Sequence, residues 1–258
     1  MRLLRRLLGV DVEDAEPEML QPLAPEQTVY VVGDVHGRAD LFDQLLERID
    51  LHRESVDGPS TLILVGDYVD RGEESASVLR RAQALANGGE AICLMGNHER
   101  MMLDFLDNPV DGGRRWLRHG GLQTLASFGV TGVTDIAPAA AMQDAAAALS
   151  NAMGPALEGW VRDLPLQWTT GNLVVTHAAL DPDMPIDMQS EKAMLWGHPD
   201  FMRRSRRDGY WVAHGHVVVE MPQVAQGRIS IDTGAVFGGR LTAAVLAPYH
   251  EPEFLQVA

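Results

Sequence analysis

Residues 28–37 read Thr28-Val29-Tyr30-Val31-Val32-Gly33-Asp34-Val35-His36-Gly37, a β-branched apolar run that stops on a glycine and two ligand-type side chains. The pattern returns in Thr61-Leu62-Ile63-Leu64-Val65 followed by Gly66-Asp67-Tyr68-Val69-Asp70-Arg71-Gly72. It returns again in Ala91-Ile92-Cys93-Leu94-Met95 followed by Gly96-Asn97-His98-Glu99. Each run predicts a short buried strand, and helical spacing follows each one. Leu41, Phe42, Leu45, Leu46 and Ile49 mark one helix face, Ala76 to Ala86 the second helix, and the stretch around Arg100 to Leu106 the third. Strand, polar turn and helix in alternation predict an α/β fold, whose strand carboxyl ends form the rim that binds ligands.

Further apolar runs, at Leu173 to Val175, Trp211 to Ala213, Ile229 to Ile231 and Ala243 to Leu246, predict strands in the second half. Their closer spacing suits antiparallel or mixed pairing. His177 follows the first of these and His214-Gly215-His216 the second. From about Asp111 to Leu164 the chain turns alanine-rich, which predicts a helical insertion set over one edge of the site.

The chain has 258 residues, with 36 acidic against 21 basic side chains and a net charge of -15. That sign repels phosphate backbones, so no nucleic acid partner is expected. Cys93 is the single cysteine, which excludes an internal disulfide and points to a reducing, cytoplasmic setting. No apolar stretch reaches the ~18 residues of a membrane span, and Arg5 and Arg6 break the Leu-rich start that resembles a signal peptide. No stable membrane association is expected. The boundaries read as a flexible N-terminal segment over 1–27, a single catalytic domain over 28–250 with the insertion at 111–164 inside it, and a C-terminal tail at 251–258.

A Gly-Asp pair after a strand is usually turn chemistry, but five strand ends here carry Asp, Asn or His with no cysteine among them. Such an oxygen and nitrogen donor set suits Mn, Fe or Zn, and it is large enough for two divalent ions bridged by one carboxylate. That architecture hydrolyses phosphate esters by in-line attack of a metal-bound hydroxide.

The order Gly-Asp-x-His-Gly, Gly-Asp-x-Val-Asp-Arg-Gly, Gly-Asn-His-Glu and then single histidines resembles the phosphoprotein phosphatase branch of the calcineurin-like metallophosphoesterases, with short bacterial and phage serine/threonine phosphatases as the nearest look-alikes. The resemblance runs from about Val29 to Leu246. It implies a four-layer β-sandwich of mixed sheets flanked by helices, and two divalent metal ions, manganese foremost. Carried over motif by motif, it implies Asp34 and His36 on the first metal, Asp67 bridging, and Asn97, His177 and His216 on the second, with His214 as a competitor for the last position. His98 matches the acid that protonates the leaving oxygen, Asp70 the carboxylate that holds it, and Arg71 the guanidinium that grips phosphate.

Two departures stand out. His177-Ala178-Ala179 replaces a glycine-bearing triplet, and His198 stands where many relatives carry a second phosphate-clamping arginine. The resemblance therefore makes His198 a substrate-binding candidate, with Arg203 or Arg204 as substitutes. Arg240, in a glycine-rich closing segment, reads as a substrate contact or as a plain hairpin residue. The expected activity is hydrolysis of phosphate monoesters, on a phosphoserine or phosphothreonine protein or a small phosphate ester. The alternative is a symmetrical bis(5'-nucleosyl)-tetraphosphate hydrolase, which Asp70 disfavours because those enzymes typically lack it. An inactive scaffold protein would be expected to have lost ligands, and none is missing.

Overall fold

Side chains alternate along a strand, and here both alternating sets are apolar and buried. In the computed structural model, which describes residues 21–258, Tyr30, Val32, Leu62 and Leu64 pack against helices. Val29, Val31 and Ile63 pack on a second sheet. The first half runs β1 (Thr28–Val32), α1 (Ala39–Ser55), β2 (Ser60–Leu64), α2 (Ser75–Asn87), β3 (Ala91–Cys93) and α3 (Asn97–Asp107). The insertion follows as α4 (Pro109–Trp116), a kinked turn through Gly120 (Leu117–Gly121), α5 (Leu122–Ser127), α6 (Ala139–Met153) and α7 (Pro155–Arg162). The second half holds β4 (Gln167–Thr170), β5 (Leu173–Thr176), α8 (Glu191–Trp196), β6 (Trp211–His214), β7 (Gln223–Ala225), β8 (Arg228–Ser230), β9 (Leu241–Leu246) and β10 (Glu253–Val257).

Two five-stranded sheets result, ordered β10-β9-β1-β2-β3 and β4-β5-β6-β8-β7. In the first, β1, β2 and β3 are parallel while β9 and β10 run antiparallel. In the second, β5, β6 and β8 are parallel and the edges β4 and β7 antiparallel. Val175, Ala213, Ile229 and Ile231 meet Val29, Val31 and Ile63 between the sheets. Val174 and Val212 turn outward onto Leu180, Met194 and Phe201, so both sheets are covered on both faces. This is the four-layer α/β arrangement with mixed sheets that the motif order implies.

The chain ends differ from expectation. Residues 251–258 contain β10, which pairs with β9 from Glu253 opposite Val245 to Val257 opposite Leu241. A five-residue edge strand with half-buried side chains has too weak a pattern to stand out in sequence. At the other end Leu23 is buried and Ala24 N–H donates to Asn172 Oδ1 at 2.7 Å, so the segment before β1 packs on the β4–β5 turn. The Arg-Leu start of the N-terminal segment lies outside the described residues. No helix among the described residues is long and apolar enough to cross a membrane.

Candidate dinuclear metal centre

The ligand-type side chains stand on the loops that leave β1, β2, β3, β5 and β6, at the carboxyl ends of parallel strands in both sheets. The backbone there is unusual. His36, Asp67, Asp70, Arg71 and His216 have φ of 45°, 54°, 75°, 71° and 63°. Each left-handed non-glycine residue costs on the order of 1–2 kcal/mol, which the surrounding packing must offset. Close approach is secured by glycine: a methyl group on Gly96 would overlap Asp67, and one on Gly215 would overlap Asp34 Oδ1.

Two sets of donors converge on Asp67. His36, Asp67 and His98 form one group, and Asp67, His177 and His216 the other, with the donor atoms of each group within 4.8 Å of one another. The two Asp67 oxygens divide between them: Oδ2 is 3.4 Å from His36 Nε2 and Oδ1 is 3.5 Å from His177 Nε2. His36 and His177 are held from behind, their Nδ1 atoms 2.8 Å from Val69 O and 3.1 Å from Val65 O. With those Nδ1–H groups donating, both Nε2 lone pairs face the cluster. His177 Nε2 then meets Asn97 Oδ1 at 2.8 Å, two acceptors face to face. Asp34 is buried beside them, its carboxylate accepting the His216 N–H at 3.2 and 3.1 Å.

Electrostatics favour cations here. Burial pushes His36 down to about 3 and His177 down to about 4, so these imidazoles are neutral at physiological pH. Burial, then Asp232 and Asp67, push Asp34 well above the usual carboxylate range. Burial also acts to raise Asp67, yet His177, His98 and His36 around it hold it below that range. Neutral imidazole nitrogens, a facing pair of acceptors and crowded buried carboxylates are what divalent ions satisfy, so the donor set fits two metals.

Beside the cluster, His98 Nδ1 lies 2.6 Å from Asp70 Oδ2. Its Nε2 is 3.0 Å from Arg71 Nη2, and the other Arg71 nitrogen, Nη1, contacts His36 Nε2. The Arg71 guanidinium also lies over the Phe237 ring, 5.2 Å from its centroid. Because Asp70 takes the Nδ1 side, His98 is an imidazole held by a carboxylate with its far nitrogen turned to Arg71 and Asp67. An imidazole so held can serve as a proton donor.

The family profile of the calcineurin-like phosphoesterases matches residues 27–220. The chain belongs to that family. It is 28% identical over 255 residues to the asymmetrical bis(5'-nucleosyl)-tetraphosphatase PrpE of Halalkalibacterium halodurans, covering 88% of this chain and 92% of the relative. A symmetrical bis(5'-nucleosyl)-tetraphosphatase of Nitrosococcus oceani is 31% identical over 160 residues, covering 61% of this chain and 46% of the relative. Among solved structures, one assigned as a diadenosine tetraphosphatase superposes with a TM-score of 0.61 at 22% identity, covering 92% of this chain and 99% of the other. A serine/threonine phosphatase from Saccharomyces cerevisiae gives 0.54 at 17%, covering 90% and 80%. These two likenesses concern the fold.

The calcineurin-like phosphoesterases use divalent metal ions, and this chain has a His and Asp group suited to them, around which several side chains have defined places. His214 is turned away: Nε2 pairs with Ser230 Oγ at 2.9 Å and Nδ1 lies 3.0 Å from Gly215 O, which leaves His216 facing Asp67. His198 is not with the cluster. Its Nε2 lies 3.6 Å from Asp181 Oδ2, and Asp200 N–H donates to its Nδ1. His198 thus rests on the loop that leads away from His177, just past the Gly197 turn that ends α8. Arg204 forms a bidentate pair with Asp183 at 2.7 Å, Arg203 is exposed, and Arg240 reaches Gln256, so none of the three joins the site.

Two residues were not singled out by sequence. Glu99 accepts backbone N–H bonds from Asp67, Tyr68, Val69 and Gly96, fixing the loop that carries Asp67. Asp232 is buried beside Asp34, with Oδ1 accepting the Gly234 N–H, and burial with the Asp67 charge pushes it up to about 6. Glu99 stands inside a quoted motif; Asp232 closes a strand as Asp34 and Asp67 do, which was the available signal.

Proposed function

We propose that this chain is a dinuclear metal-dependent hydrolase of bis(5'-nucleosyl) tetraphosphates, a broader reading than the symmetrical hydrolase that the sequence offered as its alternative. Its main support is the similarity over most of the chain to relatives that carry that name. Phe237 adds to it: the ring is 66% exposed and adjoins the phosphate-gripping Arg71, a platform suited to a nucleobase joined to a phosphate chain. Asp34 and His36 would hold one ion, Asn97, His177 and His216 the other, and Asp67 both. Bound there, the ions would neutralise phosphate charge and activate water. Arg71 grips and orients the phosphate through paired N–H donors. His98 gives a proton to the departing oxygen, and Asp70 holds His98 in the required tautomer. A single domain in a reducing, cytoplasmic setting belongs to the same proposal, in keeping with the one buried thiol.

The test is product analysis. Incubation with diadenosine tetraphosphate and Mn(II), followed by anion-exchange chromatography, should give ATP and AMP from asymmetric cleavage or two ADP from symmetric cleavage. An intact substrate would defeat the proposal.

A second reading, phosphomonoester hydrolysis on phosphoserine or phosphothreonine, draws on the 2.6 Å contact between His98 and Asp70. An alkoxide leaves with difficulty and needs a proton, whereas a nucleotide phosphate leaves readily. Faster turnover of a phosphopeptide than of the dinucleotide would make this reading the better one.

A further inference from the structure

We propose that Trp116 and Thr124, both from the helical insertion, are positioning residues for the Asp70–His98 pair, which makes the insertion part of the catalytic apparatus. The proposal rests on the reading of His98 as proton donor. Asp70 is completely buried at a left-handed φ of 75°, so its carboxylate has no water to orient it. The insertion does so instead. The Trp116 indole N–H is shared between Asp70 Oδ1 and Oδ2 at 3.0 and 2.9 Å, which fixes how the carboxylate is turned. The Thr124 hydroxyl donates to Asp70 Oδ1 at 2.6 Å and accepts the Asp70 backbone N–H at 2.8 Å. Carboxylate and main chain of one residue are therefore gripped by one hydroxyl. With Oδ1 taken by Thr124, Oδ2 is left to face His98 Nδ1.

The route by which the insertion reaches Asp70 is specific. Between Trp116 and Thr124 the chain kinks at Gly120, whose φ of 110° interrupts the helix and turns its carbonyl to accept the Arg71 N–H at 3.2 Å. A methyl on Gly120 would strike Arg71, and one on Gly121 would strike the Trp116 indole. The kink thus brings its backbone against the Asp70-Arg71 loop while holding the indole in place from behind, where the Phe105 ring also packs at 4.9 Å between centroids. Trp116 and Thr124 touch neither substrate nor reacting atoms; they act through Asp70.

The experiment compares the full chain with Trp116→Phe, Thr124→Val, Thr124→Ser and His98→Asn on phenyl phosphate and 4-nitrophenyl phosphate in Mn(II). Phenolate needs the proton more than nitrophenolate does. Trp116→Phe and Thr124→Val should lower kcat on phenyl phosphate about tenfold or more and on the nitrophenyl ester by clearly less, with KM, inhibition by inorganic phosphate and bound metal within about twofold. Thr124→Ser, which keeps the hydroxyl, should behave as the parent. Equal losses on both esters, or no loss, would overturn the proposal. His98→Asn separates the two levels: if it too shows no dependence on leaving group, the proton-donor reading fails. If it shows that dependence while the insertion variants do not, only the positioning role fails. Should Trp116→Phe not fold, the nearly isosteric Thr124→Val decides.

Discussion

His177 Nε2 and Asn97 Oδ1 meet 2.8 Å apart across the boundary between the two sheets, one on the loop after β5 and the other at the start of α3 after β3. Ions held by residues from both layers tie those layers together. Saturating Mn(II) should therefore raise the melting temperature, and at about 100 times the dissociation constant the gain is about 2.7 kcal/mol per site. Asp67→Asn should reduce bound metal at both positions and His36→Ala mainly at one, as read by metal analysis of purified protein. No thermal shift and no bound metal after reconstitution would contradict this assignment.

Arg71 and His198 should separate cleanly in phosphate binding. Arg71 lies on the cluster with its guanidinium over Phe237, whereas His198 lies on Asp181. Arg71→Ala should raise the inhibition constant of inorganic phosphate by about tenfold or more, and Arg71→Lys should recover little of it, because an ammonium cannot grip two oxygens at once. His198→Ala should leave that constant unchanged. A rise in His198→Ala equal to that in Arg71→Ala would restore His198 as a clamp.

The acid side of the reaction has a predictable pH signature. Burial pulls His98 down, but the Asp67 and Asp70 carboxylates outweigh it and hold the imidazole above its ordinary value. The protonated donor is present below that pKa and is lost as pH rises through it. Asp70→Asn removes one of the two charges, so the alkaline limb of kcat should move to lower pH by about one unit. A limb that stays in place would mean that some other group sets it.

Glu99 predicts a stability effect at the site. Its carboxylate serves backbone donors of Asp67, Tyr68, Val69 and Gly96, and a glutamine must turn its NH2 toward some of them. Each buried N–H left unpaired costs about 1–3 kcal/mol, so Glu99→Gln should lower the melting temperature and weaken metal binding together. A variant that melts like the parent would show that the loop holds its shape without this carboxylate.

The strand-end ligands were legible because each follows an apolar run and because strand ends of α/β sheets gather in space. The helices of the first half were legible from their apolar faces. What escaped the sequence depends on tertiary contact. Trp116 and Thr124 lie in a segment with no motif, on either side of the Gly120 kink that sets them against Asp70. His198 has the expected position in sequence, yet the turn after α8 sends it to Asp181. Asp70 argued for a phosphomonoesterase, while the relatives support a dinucleotide hydrolase. A held imidazole is compatible with either leaving group, so Asp70 alone could not separate them.

The left-handed backbone at His36, Asp67, Asp70, Arg71 and His216 has a consequence for anyone evolving this protein. Glycine adopts that conformation without penalty, so at each of these positions a glycine would relieve local strain and remove the working side chain in one step. Arg71 is the one of the five that stands outside both the metal donors and the buried Asp70–His98 contact, so selection for heat resistance alone, with no demand for turnover, should reach it first. The product would be well folded, no easier to melt and poor at gripping phosphate. Thermal stability in an evolved variant of this chain is thus no surrogate for a working site.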